Sequence, residues 1–183
     1  SEWDKHYKQT ANIDASSTQY WDDADDDSDG NNYNDTNDGT SAGNNDGFKP
    51  IGIHWNLETS FTGTYDGNSY KIDSLIINRS SESFVGLFGA AREATITELG
   101  LTNVNITGDG EVGSLAGYHE GGTLTKCYST GTVSGSGNNI GGLLASKHLT
   151  GTFSNSYTTV SVGGTGNKVG GLVGYIAMGA SIE

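Results

Sequence analysis

Apolar and polar positions alternate in short bursts along this chain, and from residue 85 onward the bursts repeat. Val85-Gly86-Leu87-Phe88-Gly89, Val112-Gly113-Ser114-Leu115-Ala116-Gly117, Ile140-Gly141-Gly142-Leu143-Leu144-Ala145 and Val169-Gly170-Gly171-Leu172-Val173-Gly174 are four versions of one phrase. Their leucines, Leu87, Leu115, Leu143 and Leu172, stand 28, 28 and 29 residues apart. A second ladder, Ile96, Leu124, Phe153 and Ile182, follows the leucines by 9 or 10 residues, each member set between small polar residues as in Thr95-Ile96-Thr97. A third aligns Leu101, Tyr128 and Tyr157, and five residues after each comes Ile106, Val133 or Val162. Self-similarity at a fixed period of this size is the mark of stacked repeats. Each period holds three apolar-centred segments of strand length between Gly, Ser, Thr and Asn turns, which predicts one coil of a β-solenoid.

The physical logic is that one coil cannot bury its own inward row. Stacked coils place like residue over like at about 4.8 Å and make a continuous core. A β-sandwich or propeller blade is the competing architecture, and the recurrence of the same residue types at every rung stands against it. The fold class predicted is therefore all-β, a right-handed β-helix of about 28-residue coils with an Asp-rich loop near the N-terminus. No window reads as an amphipathic helix, and 22 of the 29 glycines lie from Gly86 onward. The whole of 1–183 is read as a single solenoid domain: 1–47 an N-terminal strand, seen in Tyr7 to Asp14, plus an Asp-rich insertion; 48–84 lead-in coils; 85–183 the repeats, the last incomplete.

The Val-Gly-Gly-Leu-Val-Gly phrase followed by a Ser-Tyr-Thr/Ser-Thr-Gly-x-Val-Ser segment resembles the GLUG motif of bacterial surface and secreted proteins. Tyr128-Ser129-Thr130-Gly131-Thr132-Val133-Ser134 is the nearest match, and Tyr157 to Val162 a looser one. Phe61 to Ile72 is similar to the segment that leads into such repeats, so the resemblance covers about residues 48 to 183. It implies a β-solenoid, an extracellular or cell-surface location and a structural or adhesive role. It names no activity, because the motif occurs in adhesins, in cell-wall-attached proteins and beside metallopeptidase domains.

Charge adds a second feature. The net charge is −13, and residues 1–50 hold 12 acids and 3 bases. No basic patch is present to release counterions from nucleic acid, and anionic lipid is disfavoured for the same reason. No apolar run approaches a membrane span, and Ser1-Glu2-Trp3-Asp4 is not a signal peptide, so a mature or excised chain is expected. From Asp22 to Asp46 there are nine aspartates and no lysine or arginine. Asp25-x-Asp27-x-Asp29-Gly30 matches the first positions of an EF-hand-like calcium loop, and Asn31 offers its carbonyl at the seventh. Thr36 stands where a bidentate Glu would close the shell, leaving Asp35 or Asp38 to do so. The predicted metal ligands are Asp25, Asp27, Asp29, Asn31 and Asp35, with Ca2+ the expected ion. A solvated insert, or a metal-free loop packed by Trp21 and Tyr33, are the alternatives.

Catalytic patterns are absent from the sequence. His6, His54, His119 and His148 are scattered without a His-Glu-x-x-His pair, and His119-Glu120-Gly121 reads as an exposed turn. A polysaccharide-processing β-helix would need a basic residue beside its carboxylates, and Arg79 and Arg92 are remote from the aspartates in sequence. The chain is read as no enzyme. Cys127, the only cysteine, reads as a small core residue. Two binding alternatives remain. Thr95/Thr97 and Thr123/Thr125 share a rung position, with Thr152/Ser154 on the next, as an ice-binding face would; and Trp3, Trp21 and Trp55 could stack on sugars. The function expected is an extracellular structural or adhesive module, its partner a protein or glycan on a neighbouring surface, or a second copy through the open end of the solenoid.

Overall fold

The computed structural model describes residues 3–21, 46–52, 58–180 and 182. Successive coils lie in parallel register, and their strands form four sheets running along a common axis. One holds His6–Lys8, Thr64–Asp66, Thr95–Thr97, Thr123–Thr125 and Thr152–Ser154. The next round the coil is the longest: Ile13–Asp14, Lys71–Asp73, Gly100–Gly108, Tyr128–Gly135 and Tyr157–Thr158, with Ile76–Arg79 and Ser161–Gly164 paired alongside. A narrow third sheet holds Val112–Gly113, Ile140–Gly141 and Val169–Gly170. The fourth holds Phe88–Arg92, Ala116–Glu120, Leu144–His148 and Val173–Ile176.

The residue pattern explains each placement. In Thr-x-Thr the strand period of two turns the central residue inward, so Ile96, Leu124 and Phe153 are buried in register while their threonines stay outside. Val85, Val112, Ile140 and Val169 form a second in-register row. Ile77, Ile106, Val133 and Val162 form a third. Leu87, Leu115 and Leu143 are almost wholly buried beside them. The glycine after each valine is required by space: a Cβ on Gly113 would lie 2.5 Å from the carbonyl oxygen of Ala116.

Three expectations change in detail. The coils build four sheets, not three, because the Val-Gly pair makes a short strand, or at Val85 a single bridge, of its own before the chain turns. The N-terminal segment splits into His6–Lys8 and Ile13–Asp14, which join different sheets. Between them Gln9 is buried, and its amide donates to the carbonyls of Ala11 and Lys71 at 2.8 and 2.9 Å, which holds the corner. Tyr128 pairs with Gly100, not Leu101, and the register shifts between Ser129 and Gly131. The cause is room: a Cβ on Gly100 would lie 2.4 Å from the Tyr128 ring, so only glycine fits beneath it. The freed ring stacks on Tyr157 at 5.4 Å and 8°. Among the described residues there is one 3-10 turn, Ser16–Tyr20, and no helix long and apolar enough to cross a membrane.

Burial sets a gradient of predicted stability effects. Leu115 is 0% exposed, whereas Leu172 is only half-buried on the last coil. Leu115→Ala is expected to cost about 3 kcal/mol and Leu172→Ala about 1 kcal/mol, read from urea unfolding midpoints at unchanged slope.

Candidate functional site

The predicted calcium ligands Asp25, Asp27, Asp29, Asn31 and Asp35 lie outside the described residues, as do His54 and Trp55. Among the described residues no three His, Cys, Asp or Glu side chains converge as a metal ion requires. Polar chemistry collects instead at the inside and the outside of the fourth sheet, and at one carboxylate on the long sheet.

Inside, register places Ala91, His119 and Lys147 in one column on successive coils. His119 does not sit in an exposed turn. The turn is taken one residue later than expected, by Gly121 and Gly122 at φ 66° and 61°, which leaves His119 on the strand and fully buried. Neither of its ring nitrogens has a hydrogen-bond partner. Burial, reinforced by the neighbouring Lys147 charge, pulls its pKa down to about 3, so the ring is neutral at pH 7. Lys147 is also fully buried; its ammonium donates to the carbonyls of His148 and Leu149 at 3.4 and 3.2 Å. Burial lowers its pKa against the opposing pull of Glu93.

Outside, a chain of side chains crosses four coils. Arg92 reaches Glu120 at 2.5 Å, and the Tyr118 hydroxyl donates to the same carboxylate. Burial, then this carboxylate, pushes the Tyr118 pKa up to about 12. His148 stacks on Tyr118 at 4.7 Å and meets Tyr175 edge-on at 5.7 Å, while the Lys168 ammonium lies 3.7 Å over the Tyr175 ring. On the long sheet Asp73 accepts from Thr102, Lys71, Ser74 and Asn103; the Thr102 hydroxyl leads in lowering its pKa to about 2.

The threonine columns are as the spacing placed them, and Thr64 extends the first. Thr64, Thr95, Thr123 and Thr152 stand in one row, and Asp66, Thr97, Thr125 and Ser154 in the next. The Thr125 and Ser154 hydroxyls are 3.1 Å apart. Cys127 is the small core residue expected, with burial pushing its thiol pKa up to about 11, far from a reactive thiolate. Arg92–Glu120, Tyr118–His148, His148–Tyr175 and Thr125–Ser154 each join one coil to the next. His119 was missed because its neighbours Glu120 and Gly121 suggest a turn; its alignment with Ala91 was the available signal.

The GLUG motif model matches residues 108–134, the second coil. The chain is a GLUG-repeat protein. Over 138 residues, 74% of the chain, its sequence is 38% identical to halomucin of Haloquadratum walsbyi. Over 79 residues, 41% of the chain, it is 38% identical to a Gly-rich membrane protein of Evansella cellulosilytica. The matched stretches span 1% and 9% of those two proteins. No solved structure matches the chain.

Burial of neutral His119 sets a pH dependence with a definite sign. Its folded pKa, about 3, lies below its ordinary 6.5, so its contribution is fully present above pH 6.5 and is lost as pH falls toward 3. The slope is about 1.4 kcal/mol per pH unit inside that window. Between pH 7 and about 4.5 the protein is expected to lose about 2 to 3 kcal/mol more than His119→Leu does, measured by urea unfolding, with carboxylate effects common to both.

Proposed function

We propose that this GLUG-repeat chain is an extracellular structural and adhesive module, one stretch of a surface or secreted protein. The observation that carries the reading is the 138-residue match to halomucin at 38% identity. The name of the Evansella relative, a Gly-rich membrane protein, is in keeping with a place at the cell envelope. The architecture suits such work. A solenoid held by coil-to-coil hydrogen bonds and side-chain ladders is a stiff rod, whose length scales with coil number and whose wall offers regular surface to a neighbouring protein or glycan. Protease treatment of intact cells of the producing organism should release peptides of this chain; protection until the cells are broken would refute the location.

Calcium belongs to the same proposal. Asp25, Asp27, Asp29, the Asn31 carbonyl and Asp35 supply hard oxygens at calcium-loop spacing, and the six carboxylates from Asp22 to Asp29 repel one another without a cation. Excess calcium, at about 100 times its dissociation constant, should raise stability by about 2.7 kcal/mol over chelator, with ion co-purifying. Asp27→Asn with Asp29→Asn should abolish the difference. An unchanged melting midpoint and no bound metal would remove calcium from the account.

A further inference from the structure

The outer wall of the long sheet is built from amides and hydroxyls. Register places Asn105, Thr132 and Ser161 in one outward column and Asn78, Thr107 and Ser134 in the next. Between the two columns runs the buried row of Ile77, Ile106 and Val133. Asn78 and Asn105 are both exposed. They stand on adjacent coils and are offset by two residues along the strand, which sets them about 8 Å apart.

Each of these asparagines opens an Asn-x-Ser/Thr triplet without proline, Asn78-Arg79-Ser80 and Asn105-Ile106-Thr107, the acceptor pattern for a glycan on asparagine. A third triplet, Asn34-Asp35-Thr36, lies outside the described residues and carries none of the argument. The strand period of two puts Asn105 and Thr107 on one face and turns Ile106 into the core, so acceptor amide and hydroxyl point outward together. Ser80 is exposed beside Asn78 while Arg79 between them is buried. Asn103 and Asn138 are exposed as well, but Asn105 and Ile140 stand where each would need a hydroxyl. The Asn105 carbonyl oxygen accepts from the Thr132 hydroxyl at 3.1 Å, which fixes the amide by its oxygen and leaves the nitrogen for attachment.

We propose that Asn105 and Asn78 are acceptors for N-linked glycans on this wall. The donor is a lipid-phosphate-linked saccharide. The asparagine Nδ2 attacks the anomeric carbon of the sugar and the new C–N bond forms. The bond from that carbon to the phosphate oxygen breaks, its electron pair leaves with the phosphate, and the amide gives up one proton. Nothing is oxidised or reduced. Thr107 and Ser80 supply the hydroxyl that a transferase reads beside each amide. Glycans at this spacing cover the long-sheet wall and leave the Thr-x-Thr wall bare, which directs a protein partner to the latter. The inference rests on the extracellular reading, because such donors are met on the far side of a membrane.

Mass spectrometry of the chain from its own organism tests it, on peptides released by protease from intact cells and on peptides from a total lysate. Peptides containing Asn78 and Asn105 should exceed their sequence mass by whole sugar residues in most copies. Asn105→Gln and Thr107→Val should each abolish the added mass at residue 105, and Thr107→Ser should retain it. Both side chains point outward, so folding should be kept, checked by unchanged melting midpoints of chain made in a host without the transferase. Asn105 or Asn78 at its sequence mass in both samples would overturn the proposal at that position. A glycan that persists in Thr107→Val would overturn the triplet as its cause. Glycopeptides in the lysate that are absent from the released peptides would instead refute the extracellular location and leave the glycan standing.

Discussion

A single coil of this chain has an inward row of a few apolar residues and nothing to cover it. Coverage comes from the coils before and after, which must present the same residue at the same height. Everything else follows from that requirement. It fixes the parallel register that stacks Ile96, Leu124 and Phe153, and it makes the backbone hydrogen bonds run between coils.

Within that frame side chains divide by direction. Outward hydroxyls and carboxylates form ladders that pair across coils: Thr107 with Ser134, Thr125 with Ser154, Glu98 with Lys126. Exposed pairs of this kind contribute little singly. Their value is in disfavouring a slip by one residue, which would carry each hydroxyl column to the inner face and each apolar column into water. His119 and Lys147 run against this division. They place two basic groups where like columns elsewhere hold aliphatic residues, and the neighbouring coil offers Ala91 as the small residue that makes room.

Much of this was legible in the sequence because the repeat is written in residue types with one steric meaning each. Thr-x-Thr with an apolar centre can place its centre only inward, and Leu87, Leu115 and Leu143 fall at one height because 28 residues make one circuit. What escaped was set by local geometry that spacing does not encode. The two-residue Val-Gly strand is too short to leave a periodic signal. The Tyr128 register depends on a missing Cβ at Gly100, on the neighbouring coil. His119 required knowing which of Glu120, Gly121 and Gly122 begins the turn, a choice that two consecutive positive φ angles decide. The aspartates of the predicted calcium loop fall outside the described residues, so that part of the site rests on the sequence and its chemistry.

The central claim is in-register stacking of coils, and cysteine cross-linking reads it directly. In a Cys127→Ser background, Thr95→Cys with Thr123→Cys, and Thr123→Cys with Thr152→Cys, should each oxidise readily. Register partners on adjacent strands sit about 4.8 Å apart, within disulfide reach. Thr123→Cys with Ser154→Cys, offset by two residues along the strand, should resist, at about 8 Å. Equal cross-linking of the offset pair, or none of the in-register pairs, would contradict the solenoid described here.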